Sequence, residues 1–86
     1  MKHLLQFVKQ RNDFNRVIGG SKAIDLTVAA DRQRVADIID SALSPENLTC
    51  DGELSASQVR SRYKELTAVA KELQALDPSV TFYEFN

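Results

Sequence analysis

The chain has 86 residues, 43% of them hydrophobic and 27% charged, and its 11 Lys plus Arg against 12 Asp plus Glu give a formal net charge of −1. These proportions describe one small ordered domain over residues 1–86, too short to divide into two cores. One cysteine, one histidine and apolar runs no longer than three residues exclude a disulfide framework, a Cys/His zinc site within one chain and a membrane span of roughly 20 residues.

In chain order, Lys2 to Ile18 reads as the first helix, with Leu4, Phe7, Val8, Phe14 and Ile18 on one side. Its opening apolar stretch is broken by Gln6 and closed by Lys9, too short for a signal-peptide core. The expected setting is therefore cytoplasmic. His3 stands near a terminus expected to fray, as a solvated residue. Arg11 falls in the middle of the apolar side, so either its stem lies along the core with the charge outward, or the helix breaks at Asn12-Asp13 and restarts with Asp13 as a cap. Gly19-Gly20 ends the helix. With Ser21 and Lys22 this pair also suggests a phosphate nest, although the spacing of a full phosphate loop is absent and a flexible joint explains the same residues.

Ile24 to Val28 alternates apolar and polar residues and reads as extended. From about Val28 to Leu43 a second amphipathic helix gathers Val28, Val35, Ile38, Ile39, Ala42 and Leu43 in one arc, with Arg34, Asp37, Asp40 and Ser41 opposite. Ser44-Pro45 stops it and can start one further turn through Glu46, Asn47 and Leu48.

Residues 47–58 resemble a calcium loop of the EF-hand family. Asp51, Gly52, Leu54 and Ser55 stand at its fifth, sixth, eighth and ninth places, with helices expected on both sides. The resemblance implies a hard-cation site. The departures are Asn47 at the first place, Thr49 at the third and Gln58 at the twelfth, which leave Asp51 as the one acidic ligand. A turn followed by a capped helix accounts for the same residues, and no metal or other cofactor is expected. Cys50, beside Asp51, is expected to be a small half-buried residue rather than a nucleophile.

The strongest helical signal runs from Ser55 to Leu76. Val59, Tyr63, Leu66, Ala70 and Leu73 recur at steps of four and three, and Ala56, Val69 and Leu76 widen the face enough to touch two neighbours. Ser55 and Gln58 form a capping box, and Pro78 ends the helix. Arg60, Lys64 and Lys71 share one flank. Val80 to Phe85, rich in β-branched and aromatic residues, reads as extended.

The predicted fold is therefore mostly α, a compact three-helix domain with a short C-terminal extended segment. The alternative is an α+β fold in which residues 23–28 and 79–85 pair as a two-stranded sheet, since an isolated strand leaves its backbone groups unsatisfied.

Residues 1–34 carry 7 Lys plus Arg against 3 Asp, a net +4, and residues 35–86 carry 4 against 9, a net −5. Internal complementarity between the basic first helix and Asp37 and Asp40 is the favoured explanation, with an acidic partner as the other. No nucleophile with a base, carboxylate pair in a pocket or cofactor fingerprint stands in the sequence, which predicts a non-enzyme. The expected function is a protein–protein interaction or regulatory module docking another protein or itself, with no membrane partner. Its candidate partner surface is Arg60, Lys64, Lys71, Phe82, Tyr83 and Phe85, although the three rings are expected first to tuck against the domain's own core, with burial in a second copy or a partner as the functional alternative. The alternative is nucleic-acid binding through the basic N-terminal third or the Arg60/Lys64/Lys71 stripe, against which the low net charge argues.

Overall fold

A computed structural model of the protein describes residues 1–20 and 22–84. Among these residues the chain forms four helices, α1 (Lys2–Ile18), α2 (Ala29–Leu43), α3 (Pro45–Leu48) and α4 (Ala56–Leu76), and no strand. The fold is all-α, as the periodicity predicts, and the expected extra turn after Ser44 is α3.

The helix with the broadest apolar face is the hub. α4 packs against α1, α2 and α3 and buries Leu66, Val69, Ala70 and Leu73. Its capping box is formed: Ser55 Oγ accepts from the Gln58 N–H at 3.3 Å, and Gln58 Oε1 accepts from the Ser55 N–H at 2.8 Å, satisfying two of the donors that a helix start leaves open. Tyr63 and Leu76, predicted on the same face, are about half exposed. α2 contributes Val35, Ala36, Ile39 and Leu43 to the same core. Val28 precedes this helix as an extended, exposed cap residue rather than joining its inner face.

α1 is unbroken through Asn12-Asp13, and the Arg11 guanidinium lies over the Phe14 ring at 5.9 Å from its centroid. Gly19 ends the helix at φ 62°. Its N–H reaches the Arg16 carbonyl, and the Gly20 N–H reaches that of Asn15. This closing motif occupies both glycine amides with α1 carbonyls, so they do not form the phosphate nest. The start of α1 is tied down rather than frayed. Glu72 on α4 accepts from the N-terminal ammonium at 2.8 Å and from the Leu4 N–H at 3.1 Å, and its other oxygen meets His3 Nδ1 at 3.0 Å. The ammonium first, then the Leu4 amide, lower the Glu72 pKa by favouring the charged form.

The two extended segments do not pair with each other. Each is gripped by a side-chain amide instead. Asn12 on α1 accepts the Ile24 N–H at 2.8 Å and donates to the Ile24 carbonyl at 3.1 Å. Gln33 on α2 does the same for Thr81, at 2.9 Å in both directions. A carboxamide offers one donor and one acceptor side by side, as a neighbouring strand would, so these segments meet their backbone requirement without a sheet. Asp40 completes the anchoring of the tail, accepting the N–H groups of Tyr83 at 2.9 Å and Glu84 at 3.1 Å. Expected on the outer face of its helix, it is instead one of the two buried polar residues among those described. Ile24, Val80 and Phe82 thereby reach the core.

The opposite charges of the two halves do meet, through residues other than those expected. No ion pair involving Asp37 or Asp40 forms among the described residues. Arg32 on α2 instead donates through Nε to Asp77 at the end of α4, at 2.6 Å, and through Nη1 to the Leu26 carbonyl, at 2.9 Å. Asp77 also accepts the Ser79 hydroxyl and N–H. The Ser79 hydroxyl first, then Arg32, hold the Asp77 pKa down to about 2 from 3.8. A carboxylate depressed in the folded state stabilises it above the unfolded pKa, and that contribution is lost as pH falls from about 4 through about 2. The Asp77→Asn variant is therefore expected to melt lower than the parent at neutral pH and to converge with it toward pH 2. Thermal midpoints measured across this range test the expectation, and a gap that stays constant with pH contradicts it.

Candidate functional site

α1 carries two stripes. Leu4, Val8 and Asn15 form the buried one, with Asn12 at its edge. A second stripe, Phe7, Arg11, Phe14 and Ile18, lies about 70° around the axis, since each residue advances about 100°. Asn12 and Asn15 turn inward in the second half of the helix, where Asn12 holds Ile24, and this leaves Phe14 and Ile18 outside. Phe14 is 54% exposed and Ile18 58%, with Val17 beside them at 84%. Sequence periodicity places Phe14 and Ile18 in the core; the structure makes them a ridge.

That stripe leads through Arg11 and Phe7 into a cleft of about 660 Å³ whose walls come from α1, α2, α3, α4 and the loop after α3. Phe7, Ile38, Ala42 and Leu66 supply its apolar surface. Arg11 and Arg62 stand on the α1/α4 side, while Arg34, Asp37, Glu46 and Asp51 stand on the α2/α3 side. Among the described residues none of these six forms an ion pair with another. Arg34 donates to the Lys22 carbonyl and Asp37 accepts from Gln33. The Arg62 Nε is buried with no hydrogen-bond partner among the described residues, a state that costs folding free energy and is uncommon in native proteins.

The loop on the cleft's rim is strained. Cys50 (φ 50°) and Asp51 (φ 56°) both occupy the left-handed region. The Cys50 N–H bonds the Asn47 carbonyl and the Asp51 N–H that of Glu46, the same closing motif that ends α1. At the position where α1 has glycine, α3 has cysteine, whose Cβ makes the conformation cost roughly 1–2 kcal/mol. This geometry also leaves Cys50 exposed rather than half-buried as expected. Such strain concentrates at functional sites. The only sequence cue to it is Asp-Gly, an ordinary turn signal.

Several residues of the EF-hand resemblance are engaged in local hydrogen bonds. Asn47 lies within α3 and donates to the Ser41 carbonyl, the Thr49 hydroxyl donates to the Pro45 carbonyl, and Ser55 and Gln58 are engaged in the capping box. Among the described residues no group of three or more His, Cys, Asp or Glu is placed to hold a metal ion.

The predicted partner surface divides. Arg60, Lys64 and Lys71 are all exposed on α4, with no ion pair among the described residues. Tyr83 is 79% exposed, and its N–H is bound to Asp40 on α2. Phe82 leaves the candidate surface: it is buried in the protein's own core, as favoured for the terminal aromatics, and offers no ring to a partner. Phe85 lies outside the described residues. No helix among those described is long and apolar enough to cross a membrane. Compared with protein-family models, with curated proteins and with solved structures, the chain finds no match in any of the three.

Proposed function

We propose that the protein is a small protein–protein interaction module without catalytic activity, working in the cytoplasm and docking through the α1 ridge and the adjoining cleft. The observation that carries this reading is the pair Phe14 and Ile18, more than half exposed on the same α1 stripe as Phe7 and Arg11, which line a cleft whose charged groups are unpaired with one another. Large apolar side chains concentrated on one face, rimmed by polar groups, mark interaction surfaces. The strained Cys50-Asp51 rim and the unsatisfied Arg62 Nε support it, since a partner would supply both contacts and acceptors. A lone exposed thiol suits a reducing compartment.

The test is capture of partners from the native host by the wild-type chain and by a Phe14→Ser/Ile18→Ser variant. The variant is expected to keep its helical content and to lose the captured species. An identical set from both chains rejects the ridge as the docking face.

The free stripe Arg60, Lys64 and Lys71 supports a second reading, nucleic-acid binding. There, affinity would fall steeply with salt as counterions are released. Absence of binding to duplex or single strands at low salt removes it.

A further inference from the structure

The start of α1 gathers groups that the docking surface does not use. The Met1 ammonium donates to one Glu72 oxygen at 2.8 Å and His3 Nδ1 meets the other at 3.0 Å, so the terminal nitrogen and the imidazole converge on a single carboxylate. Between them in the chain lie the Lys2 and His3 N–H groups. In the first turn neither has a carbonyl four residues back, and neither has an acceptor among the described residues. The next two are taken, Leu4 by Glu72 and Leu5 by the Met1 carbonyl at 3.0 Å. Met1, Lys2 and His3 are all exposed.

We infer that the free amino terminus is a chelating site for a divalent ion that prefers a square plane of nitrogens, copper(II) or nickel(II). The donors are the Met1 amine, the Lys2 and His3 amide nitrogens and His3 Nδ1. Histidine in third place is what such a set requires. Consecutive backbone nitrogens close fused chelate rings, and Nδ1, the ring nitrogen nearer the His3 backbone, closes the last. The set draws on one side chain only, so it does not depend on grouped His, Cys, Asp or Glu, of which the described residues hold none. Binding releases one proton from the ammonium and one from each amide while the imidazole proton resides on Nε2, and it strengthens as pH rises. It also competes with the fold. Successive residues of a helix turn by about 100°, so their nitrogens cannot share a plane. The ion therefore opens the first turn, draws the amine and the imidazole away from Glu72 and frees the Leu5 N–H. An unfolded chain has none of these contacts to break and binds the ion more tightly, so the metal destabilises the folded state.

The experiment is titration of the full chain, its Met1 amine free, with copper(II), followed by visible absorption and electron paramagnetic resonance. His3→Ala, the Nα-acetylated chain and Glu72→Gln are titrated alongside, and circular dichroism verifies that each is folded. The wild type is expected to take one ion per chain with the signature of a square plane of nitrogens. His3→Ala and acetylation each remove a donor and should weaken binding by at least about tenfold. Glu72→Gln still accepts the Leu4 N–H but no longer attracts the ammonium, and should tighten binding by about two- to fivefold, the worth of an exposed ion pair. Saturating nickel(II) should lower the wild-type melting midpoint. A spectrum without in-plane nitrogens, or affinity indifferent to His3→Ala or to acetylation, overturns the site. Weaker binding by Glu72→Gln makes the carboxylate a ligand and overturns the all-nitrogen set, and a melting midpoint raised by nickel(II) overturns the competition with the fold.

Discussion

Replacing Asp40 with alanine is expected to loosen the C-terminal arm while the four helices stay in place. The carboxylate is buried and accepts two backbone N–H groups, from Tyr83 and Glu84. Hydrogen bonds to charged groups contribute about 1.5–3 kcal/mol each, and part of the loss is offset because a buried carboxylate no longer needs to be desolvated. The net expectation is a loss of about 1–3 kcal/mol. Amide hydrogen exchange of Tyr83 and Glu84 should accelerate most, ahead of any change in α4. Asp40→Asn keeps an oxygen acceptor and should recover part of the effect. Adding Gln33→Ala removes the Thr81 clamp as well, and then Val80 and Phe82 should leave the core. Unchanged exchange at Tyr83 and Glu84 in Asp40→Ala would show that the arm is held by apolar burial alone.

The largest loss of stability is expected for Leu73→Ala. Leu73 is fully buried on the core face of the hub helix, and removing a buried leucine side chain leaves a cavity costing about 2–5 kcal/mol. A chain of this size has only about 4–13 kcal/mol in total, at roughly 0.05–0.15 kcal/mol per residue. The melting midpoint should therefore drop by about 10–30 °C. Leu76→Ala, three residues on and about half exposed, should cost less than about 1 kcal/mol. Denaturant titration of the two variants tests the hub assignment, and equal losses would contradict it.

The helices are legible in the sequence because their signals are local. The Ser55/Gln58 box, the Gly19 stop and the three-four spacing of α4 all lie within a few residues of what they specify. The anchoring of the extended segments is not legible, since Asn12, Gln33 and Asp40 act on backbone 12 to 48 residues away, and polar residues at those positions look like solvated surface in a helical wheel. The same blindness misplaces Phe14 and Ile18. An apolar side chain within one arc of α1 is inward only if that arc faces α4, and the inward turn of Asn12 and Asn15 decides otherwise. Of the candidate surface, exposure of Arg60, Lys64, Lys71 and Tyr83 agrees with the sequence pattern. Burial of Phe82 follows from anchoring on either side of it, by Gln33 at Thr81 and Asp40 at Tyr83, which composition does not encode.

The most direct measurement of the docking surface is site-specific photocrosslinking in the native host, with a photoreactive phenylalanine analogue placed at Phe14 in one chain and at Lys71 in another. Both sites are exposed, so each reports what approaches its own face. Specific protein adducts at position 14, with only background at position 71, are the predicted result. Adducts at 71 and none at 14 would contradict it and move the binding face to the outer side of α4.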